Sequence, residues 1–361
     1  MLSFLIGRAI VRWLLSEREA PLAPAVQAGQ GPASPAPTPQ APDTRDLAHP
    51  RVERAAMGCL WEVYLVGEDR EHLEGAAREA LDEVERLDRQ LSHTKPESDI
   101  CRLNAHAYMH WVRLEPALYN LLRRCATLHE QTGGSFDVAC GALVDAWGFL
   151  RSSGCVPSSE AITSALARSG MDRVAFDDDD YCVHFTVEGM QIALGAVGKG
   201  VGADAAARTL RFYGVDAAVL HGGSSTIYAL GTPPGEDGWA FEARSPLSDA
   251  RSLHSFRLRD RALSTSSAQE QFVQVEDRRL GHILDPRTGR PAEGLLSVWV
   301  AADTATDSDA LSTALFVMGR DAAVAFCSTR PELEVVLAEQ APDGAVTGLH
   351  IRGAVVTEIT A

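Results

Sequence analysis

Hydrophobic residues recur at helical spacing in several segments of the chain. From Asp69 to Leu91 an apolar residue appears every three or four positions, with charged residues on the opposite face, which predicts a long amphipathic helix. Shorter helices are predicted over residues 115–131, 159–169 and 322–328, after Gly200 as far as about Phe212, and from Asp309 to Met318. Gly133, Gly170 and Gly319 follow three of these segments and favour helix ends there.

Other segments have the composition and spacing of β-strands. Strands are predicted over residues 60–66, 172–176, 181–187, 217–220, 334–338 and 347–356, with further short strands within 262–300. The acidic run from Asp177 to Asp180 lies between two of them and is typical of a solvated turn rather than a metal site. Because helices and strands alternate without a steady βαβ period, the pattern favours mixed α/β layers over a doubly wound parallel sheet.

The first fifty residues differ from the rest. Residues 1–16 have apolar side chains at helical spacing but include Arg8 and Arg12, which argues against a membrane-spanning helix and against a signal peptide. They predict a short amphipathic helix that lies on a membrane or a partner protein, and an incidentally apolar N-terminus is the alternative. Residues 17–50 are rich in Pro and Ala and predict a linker, so the globular domain is expected to span residues 51–361.

Composition narrows the possible functions. The chain has 361 residues, of which 45% are hydrophobic, and a formal net charge of -16. This charge, with no Lys/Arg cluster in the globular part, argues against nucleic-acid binding, and an anionic ligand would need a metal ion or a local basic group. The seven cysteines form no CxxC pair, which favours buried free thiols in a reducing compartment.

Asp309 and Thr313 are candidates for a metal site. They are four positions apart, so a helix that begins at Asp309 would place their oxygens on one face. A carboxylate and a hydroxyl are hard ligands, which suit Mg²⁺ bound together with phosphate. The alternative is an N-capping Asp followed by an ordinary helical Thr.

Three loops offer further functional groups. His282 precedes a Pro/Gly turn and is a candidate general base, and a core histidine bonded to the backbone is the alternative. The glycine-rich stretch from Gly195 to Gly200 carries Lys199 before a helix, which suits phosphate binding, although it lacks the P-loop pattern and close packing is the alternative. Asp137 lies between apolar residues and either binds a ligand or caps the backbone of a turn.

The order and content of these segments resemble the ApbE family, the FAD:protein FMN transferases. The resemblance covers about residues 54–340, and its most specific pair of blocks is His282 to Gly289 with Asp309 to Ala314. The other matching blocks are Ala56–Gly58, Ser98–Asn104, Gly134–Asp137, Trp147–Phe149, Leu194–Gly200 and Thr265–Ser266. The resemblance implies an ApbE-like flavin transferase fold of mixed α/β layers.

The resemblance also implies an activity, namely Mg²⁺-dependent transfer of FMN from FAD to a Thr or Ser hydroxyl of an acceptor protein, with release of AMP. By similarity, His282 would be the general base and Lys199 would bind the FAD phosphates. The residues that would line the FAD pocket are Met57, Ser135, Phe136, Asp137 and Ile283. The Mg²⁺ ligands would be Asp309, Thr313 and the backbone carbonyl of Ala196, with Ser312 nearby.

Four positions depart from the family pattern. Ala193 and Ser224 stand where Asp is usual, Thr94 lies where a Tyr is usual, and Ala139 replaces a usual Thr. Because Ala193 and Ser224 lack the usual carboxylates, a flavin-binding protein without transfer activity is one alternative. Hydrolysis of FAD to FMN and AMP at the same site is the other. Relatives are often exported, but the chain has neither a convincing signal peptide nor a lipobox, which leaves membrane association and a cytoplasmic location as alternatives.

Overall fold

A nine-stranded antiparallel sheet forms the centre of the molecule. The computed structural model describes residues 47–149, 155–247, 251–268, 272–275 and 278–360. Helices cover one face of the central sheet, and a two-stranded sheet packs on the other face. The predicted mixed α/β layers are therefore confirmed, whereas the predicted helix at residues 1–16 and most of the predicted linker lie outside the described residues.

The strands are short, and the longest have seven residues. They are β1 (Arg51–Ala56), β2 (Cys59–Leu65), β3 (Val112–Arg113), β4 (Val174–Asp177), β5 (Cys182–Phe185), β6 (Ala218–Gly222), β7 (Thr226–Leu230), β8 (Trp239–Arg244), β9 (Ser252–Leu258), β10 (Arg261–Ser267), β11 (Phe272–Val275), β12 (Arg278–Gly281), β13 (Leu284–Asp285), β14 (Arg290–Pro291), β15 (Ser297–Ala302), β16 (Glu334–Gln340), β17 (Val346–Arg352) and β18 (Val355–Thr360). The central sheet has the order β1-β2-β6-β7-β10-β15-β16-β17-β18. Beside it lie a small sheet, β3-β5-β4, and the pairs β8–β9, β11–β12 and β13–β14.

The helices largely follow the predicted apolar stripes. They are α1 (Arg70–Leu91), α2 (Asp99–His106), α3 (Pro116–Gln131), α4 (Gly141–Ala146), α5 (Ser159–Leu166), α6 (Gly198–Phe212), α7 (Ala305–Met318) and α8 (Arg320–Ser328), with a 3-10 turn at Met171–Arg173. The stripe of α1 is buried against α6 and the sheet, because small residues such as Ala77, Ala80 and Ala203 allow close packing. Among the described residues, no helix has the length and apolar character needed to cross a membrane.

Successive residues of the central strands face different cores. On β16, Val335 and Leu337 pack with the helices, whereas Val336 and Ala338 pack against β8 and β9. The same alternation places Ser264 and Ser266 of β10 on the helix face, because Ala262 packs there and Leu263 packs on the opposite side. These two serines therefore lie between the sheet and its helices.

The structure corrects two predictions about element boundaries and adds one strand. Helix α7 begins at Ala305, after the N-cap Thr304, whose side chain accepts the N–H of Asp307 at 3.1 Å, so the prediction that Asp309 opens this helix is wrong. The predicted strand over residues 347–356 is two strands, β17 and β18, joined by a turn at Gly353 with φ of 57°. Strand β1 was not predicted.

All seven cysteines lie within the described residues and are free thiols, as the absence of CxxC pairs predicted. The predicted burial is correct only in part. Cys125 and Cys327 are buried, Cys155 is exposed, and the other four are intermediate. Burial raises the pKa of the Cys125 thiol to about 12, so this side chain acts as a small apolar group of the core.

Candidate active site

Asp309 lies in the second turn of α7, and its carboxylate faces the first turn of α6. The Oδ2 atom accepts the backbone N–H of Gly200 at 2.9 Å, and Oδ1 accepts the Thr226 hydroxyl at 3.3 Å. Val197, the N-cap residue of α6, makes no side-chain cap bond, so Asp309 supplies this cap from another helix. Because the N-terminal end of α6 carries partial positive charge, it stabilises a carboxylate that is only 5% exposed.

Asp204 makes the reciprocal contact from α6 to α7. Its carboxylate accepts the N–H groups of Ala305 and Thr306 at 2.8 and 2.9 Å, and the Thr306 hydroxyl at 2.6 Å. Since Asp204 faces the start of α7 while Asp309 faces the start of α6, the two helices run antiparallel and cap each other. The position of Asp309 is therefore set by the packing of both helices.

Hydroxyl groups from two strands and α7 line the region beside Asp309. The Ser266 Oγ lies 2.9 Å from the Ser312 Oγ and 3.2 Å from the Thr313 Oγ1, and the Ser312 hydroxyl donates to the Asp309 carbonyl at 2.9 Å. Ser264 is paired in register with Thr226, and its buried Oγ has no hydrogen-bond partner among the described residues. A buried hydroxyl without a partner is costly, so this region suits a further polar ligand.

The donor set fits a hard divalent cation. It combines one buried carboxylate with several hydroxyl oxygens, which are ligands that Mg²⁺ prefers. Ala196 lies in the turn before α6, and Lys199 is the second residue of that helix, so both adjoin the N-terminal end that Asp309 caps. Thr313 is half-buried, whereas Ser312 is fully buried and bonded on both sides. Ser312 therefore holds Asp309 and Ser266 in place.

The loop from Ser135 to Asp137 combines an unpartnered hydroxyl with a fully engaged carboxylate. Asp137 accepts the N–H groups of Ala139 and Met171 at 2.7 and 3.1 Å, and one of its oxygens lies 3.2 Å from the His129 Nδ1. The hydrogen bond to Asp137 raises the pKa of His129. The Ser135 Oγ is buried and has no hydrogen-bond partner within the described part of the chain. The backbone-capping interpretation of Asp137 is thus the one that its contacts favour.

His282 follows β12 directly and is half-buried. Its imidazole packs edge-on against Phe149, with ring centroids 6.5 Å apart. The preceding residue, Gly281, lies close to Ala268: a Cβ built at Gly281 would be 3.4 Å from the Ala268 carbonyl oxygen. Since Ala268 comes just after β10, this contact brings His282 to the end of the strand that carries Ser266.

The turn after His282 packs against the block around Trp147. The Trp147 Nε1 donates to the Gly289 carbonyl at 2.9 Å, and the Asp285 carboxylate accepts two hydrogen bonds from the Arg287 guanidinium at 2.8 and 2.9 Å. The Arg287 Cγ would lie 3.6 Å from a Cβ built at Gly134, so the loop that carries Ser135 is adjacent. Segments that lie far apart in sequence, around Ser135, Trp147 and His282, therefore meet in the folded chain.

Hydrogen bonds and side-chain packing position the remaining predicted residues. The Asn104 side chain binds both backbone groups of Ile192 at 2.7 and 3.0 Å, and the N–H of Ala193 donates to the Val138 carbonyl at 2.8 Å. Phe136 and Ile283 belong to one buried core. Met57, at φ of 50° in the β1–β2 turn, reaches α6, with its Cε 3.2 Å from a Cβ built at Gly202.

The structure adds residues that sequence reasoning did not select for the site. Thr226 and Ser264 contribute through contacts with segments remote in sequence, which no local pattern reveals. Gly200 lies in the glycine-rich stretch that the sequence indicated, but its hydrogen bond to Asp309 joins segments remote in sequence. Ser266 belongs to the Thr265–Ser266 block of the family resemblance, which was the one available signal for it.

The fold and this site define a mixed α/β protein with an oxygen-rich site at the junction of two helices that cap each other. The chain belongs to the ApbE family, whose family model matches residues 57–337. The FAD:protein FMN transferase of Treponema pallidum is 32% identical over an alignment of 276 residues that covers 71% of this chain and 76% of that protein. The protein of the same name from Escherichia coli K12 is 25% identical and covers 75% of this chain and 79% of its own length.

Solved structures of the family have the same fold. The ApbE protein of Thermotoga maritima superposes with a TM-score of 0.75 at 29% identity, covering 85% of this chain and 97% of that chain. The flavinyl transferase ApbE of Pseudomonas stutzeri, in its apo form, gives a TM-score of 0.73 at 25% identity, covering 86% and 96%. The ApbE-like fold implied by the sequence blocks is therefore confirmed.

Proposed function

We propose that this chain is a Mg²⁺-dependent FAD:protein FMN transferase that attaches FMN to a Thr or Ser of an acceptor protein. The acceptor hydroxyl oxygen attacks the FMN phosphorus, and a new O–P phosphoester bond forms. The pyrophosphate bond to the AMP phosphate breaks, and its electron pair leaves with AMP. The hydroxyl proton goes to His282. FAD is thus a substrate, and the acceptor protein is the partner.

One observation carries the proposal, which is the Asp309 carboxylate held at the start of α6 among buried hydroxyls. Phosphoryl transfer depends mainly on positioning and on neutralising charge, and a helix N-terminus beside an acidic metal ligand supports both. Bound Mg²⁺ would neutralise charge on the FAD pyrophosphate. Asp309, Thr313 and the Ala196 carbonyl would hold this ion, and Lys199 would bind a phosphate oxygen.

His282 is the proposed general base. It is half-buried, its ring packs edge-on against Phe149, and it follows a residue that packs against the end of β10. An imidazole is suited to accept a proton near neutral pH.

The proposed flavin pocket is formed by Met57, Phe136 and Ile283, together with the unpartnered Ser135 hydroxyl. Asp137 would act there by holding the loop through the N–H groups of Ala139 and Met171. The buried Ala139 and half-buried Ala193 would leave this pocket with fewer polar contacts than relatives that carry Thr and Asp at these positions.

One incubation separates the proposed transfer from its alternatives. The purified chain is mixed with FAD, Mg²⁺ and a Thr-containing acceptor peptide, and the products are separated by mass and by flavin fluorescence. Peptide-bound FMN with an equal amount of AMP supports the transferase. Free FMN with AMP would instead indicate a hydrolase, and intact FAD recovered from the protein would indicate a binding protein.

A further inference from the structure

Two histidines and a glutamate from three strands meet on the sheet face that lacks the candidate active site. The Glu334 Oε1 lies 2.9 Å from the His254 Nε2 and 3.1 Å from the His350 Nε2. The two imidazole rings stack with centroids 4.0 Å apart and an interplanar angle of 23°. Within the part of the chain that the structure describes, one ligand atom from each residue lies within 4.8 Å of the others.

The position of this cluster is fixed by strand alternation. Glu334 shares a face of β16 with Val336 and Ala338, which pack against β8 and β9, and His350 is the register partner of Val336. His254 lies on β9, where its ring packs edge-on against the buried Phe256 at 4.8 Å. The helices and Asp309 lie on the opposite face, so the transfer reaction does not use this cluster.

The chemistry of the three ligand atoms differs from that of the Asp309 site. Imidazole nitrogens suit zinc and neighbouring transition metals, whereas Mg²⁺ prefers oxygen ligands. With Zn–N bonds of about 2.0–2.1 Å, ligand atoms around a tetrahedral zinc ion lie roughly 3.3 Å apart, close to the separations of both Nε2 atoms from Oε1. The side chains of His254, Glu334 and His350 are 19%, 14% and 23% exposed, so an ion can reach them from solvent.

We propose that His254, Glu334 and His350 form a binding site for a zinc-class divalent metal ion, with the fourth position open to water. The ion would link β9, which belongs to a separate two-stranded sheet, to β16 and β17 of the central sheet. Ligands from two sheets are brought together only in the folded chain, so metal binding stabilises the fold. The site is a structural clamp that is independent of the Mg²⁺ requirement of the transfer reaction.

The test uses the full chain after chelator treatment, and Zn²⁺ is titrated into a solution that contains excess Mg²⁺. We expect one bound Zn²⁺ per chain and a rise in Tm. Glu334→Gln keeps both imidazoles and the side-chain volume but removes a proposed direct ligand. Loss of a residue that only supports a ligand weakens metal binding by roughly 10–100-fold, so we expect Zn²⁺ affinity to fall by at least that factor. His184→Gln, a control histidine that contacts Trp111 instead, should bind zinc like the unaltered chain.

A second measurement needs no variant and therefore does not depend on how the variants fold. X-ray absorption at the zinc edge of the loaded, unaltered chain should give only nitrogen and oxygen ligands, with the scattering pattern of imidazole. Sulfur ligands would place the ion on the free cysteines and overturn the proposal. Unchanged zinc affinity in Glu334→Gln, or no binding by the unaltered chain, would mean that Glu334 only accepts hydrogen bonds from the two rings.

Discussion

The Asp309 carboxylate accepts the backbone N–H of Gly200 at 2.9 Å, so one residue both caps α6 and presents the acidic group of the proposed metal site. In the other direction, the Asp204 carboxylate on α6 accepts backbone N–H groups at the start of α7. The geometry of the proposed metal site and the packing of the two helices should therefore be coupled, so that a change in one is measurable in the other.

Gly200→Ala tests this coupling. A Cβ at Gly200 would lie 2.2 Å from the Ala305 carbonyl oxygen and 2.7 Å from the Thr306 Cα, so the two helices must separate. Overpacking of this kind costs about 1–3 kcal/mol, and the shift also moves Asp309 from its position. We expect a lower urea midpoint and weaker Mg²⁺ activation. In the control variant Gly198→Ala, the added Cβ meets no atom within 4 Å, so an equal stability loss there would contradict the explanation.

Ser266→Ala should weaken the hydroxyl network beside Asp309. The Ser266 hydroxyl contacts both Ser312 and Thr313, and each lost hydrogen bond costs about 1 kcal/mol. We expect a higher Mg²⁺ concentration for half-maximal activity. Ser267→Ala is the matched control, because Ser267 bonds to Leu296 and Ser297 instead. The same Mg²⁺ shift in both variants would mean that general destabilisation is the cause.

The contact between His129 and Asp137 predicts a pH dependence of stability. The hydrogen bond to Asp137 raises the pKa of His129 above its ordinary 6.5, so the folded chain holds this proton more tightly than the unfolded chain does. This contribution is fully present below pH 6.5 and is lost as pH rises through the higher folded pKa. Urea midpoints measured across that range should fall, and Asp137→Asn should flatten the slope. An unchanged slope in Asp137→Asn would assign the pH dependence to other groups.

His282→Gln should separate catalysis from FAD binding. Loss of a general base lowers the transfer rate by about 10²–10⁴-fold, while the residues proposed to contact FAD are unchanged. Quenching of flavin fluorescence would report binding, and acceptor flavinylation would report transfer. His110→Gln, a histidine that stacks on His106 instead, should retain both. Full transfer activity in His282→Gln would show that His282 is not the general base.

The sequence predicted best where a long local pattern determines the structure. The stripe of α1 and the helix that follows the glycine-rich stretch at α6 were found because a single buried face repeats over many residues. Strand β1 was missed because it is a sheet-edge strand with Arg51, Glu53 and Ala55 exposed, which leaves little apolar signal.

The start of α7 was misplaced for a different reason. The segment from Thr304 to Asp309 offers several residues that favour an N-cap, and the sequence alone does not rank them. The partners of Asp309, which are Gly200 and Thr226, are 109 and 83 residues away, so only the folded chain brings them together. The sequence therefore singled out Asp309 as a candidate metal ligand, which stays a prediction, but wrongly placed it at the start of the helix.

The most direct test of the proposed mechanism compares Asp309→Ala with Asp307→Asn. Both residues lie on α7, but Asp307 pairs with Arg124 at 2.8 Å and has no part in the proposed site. AMP and acceptor-bound FMN are measured together in reactions with FAD as Mg²⁺ is increased. We expect equal amounts of both products from the unaltered chain and from Asp307→Asn, and neither product from Asp309→Ala at any Mg²⁺ concentration. Full Mg²⁺-dependent formation of both products by Asp309→Ala would contradict the account.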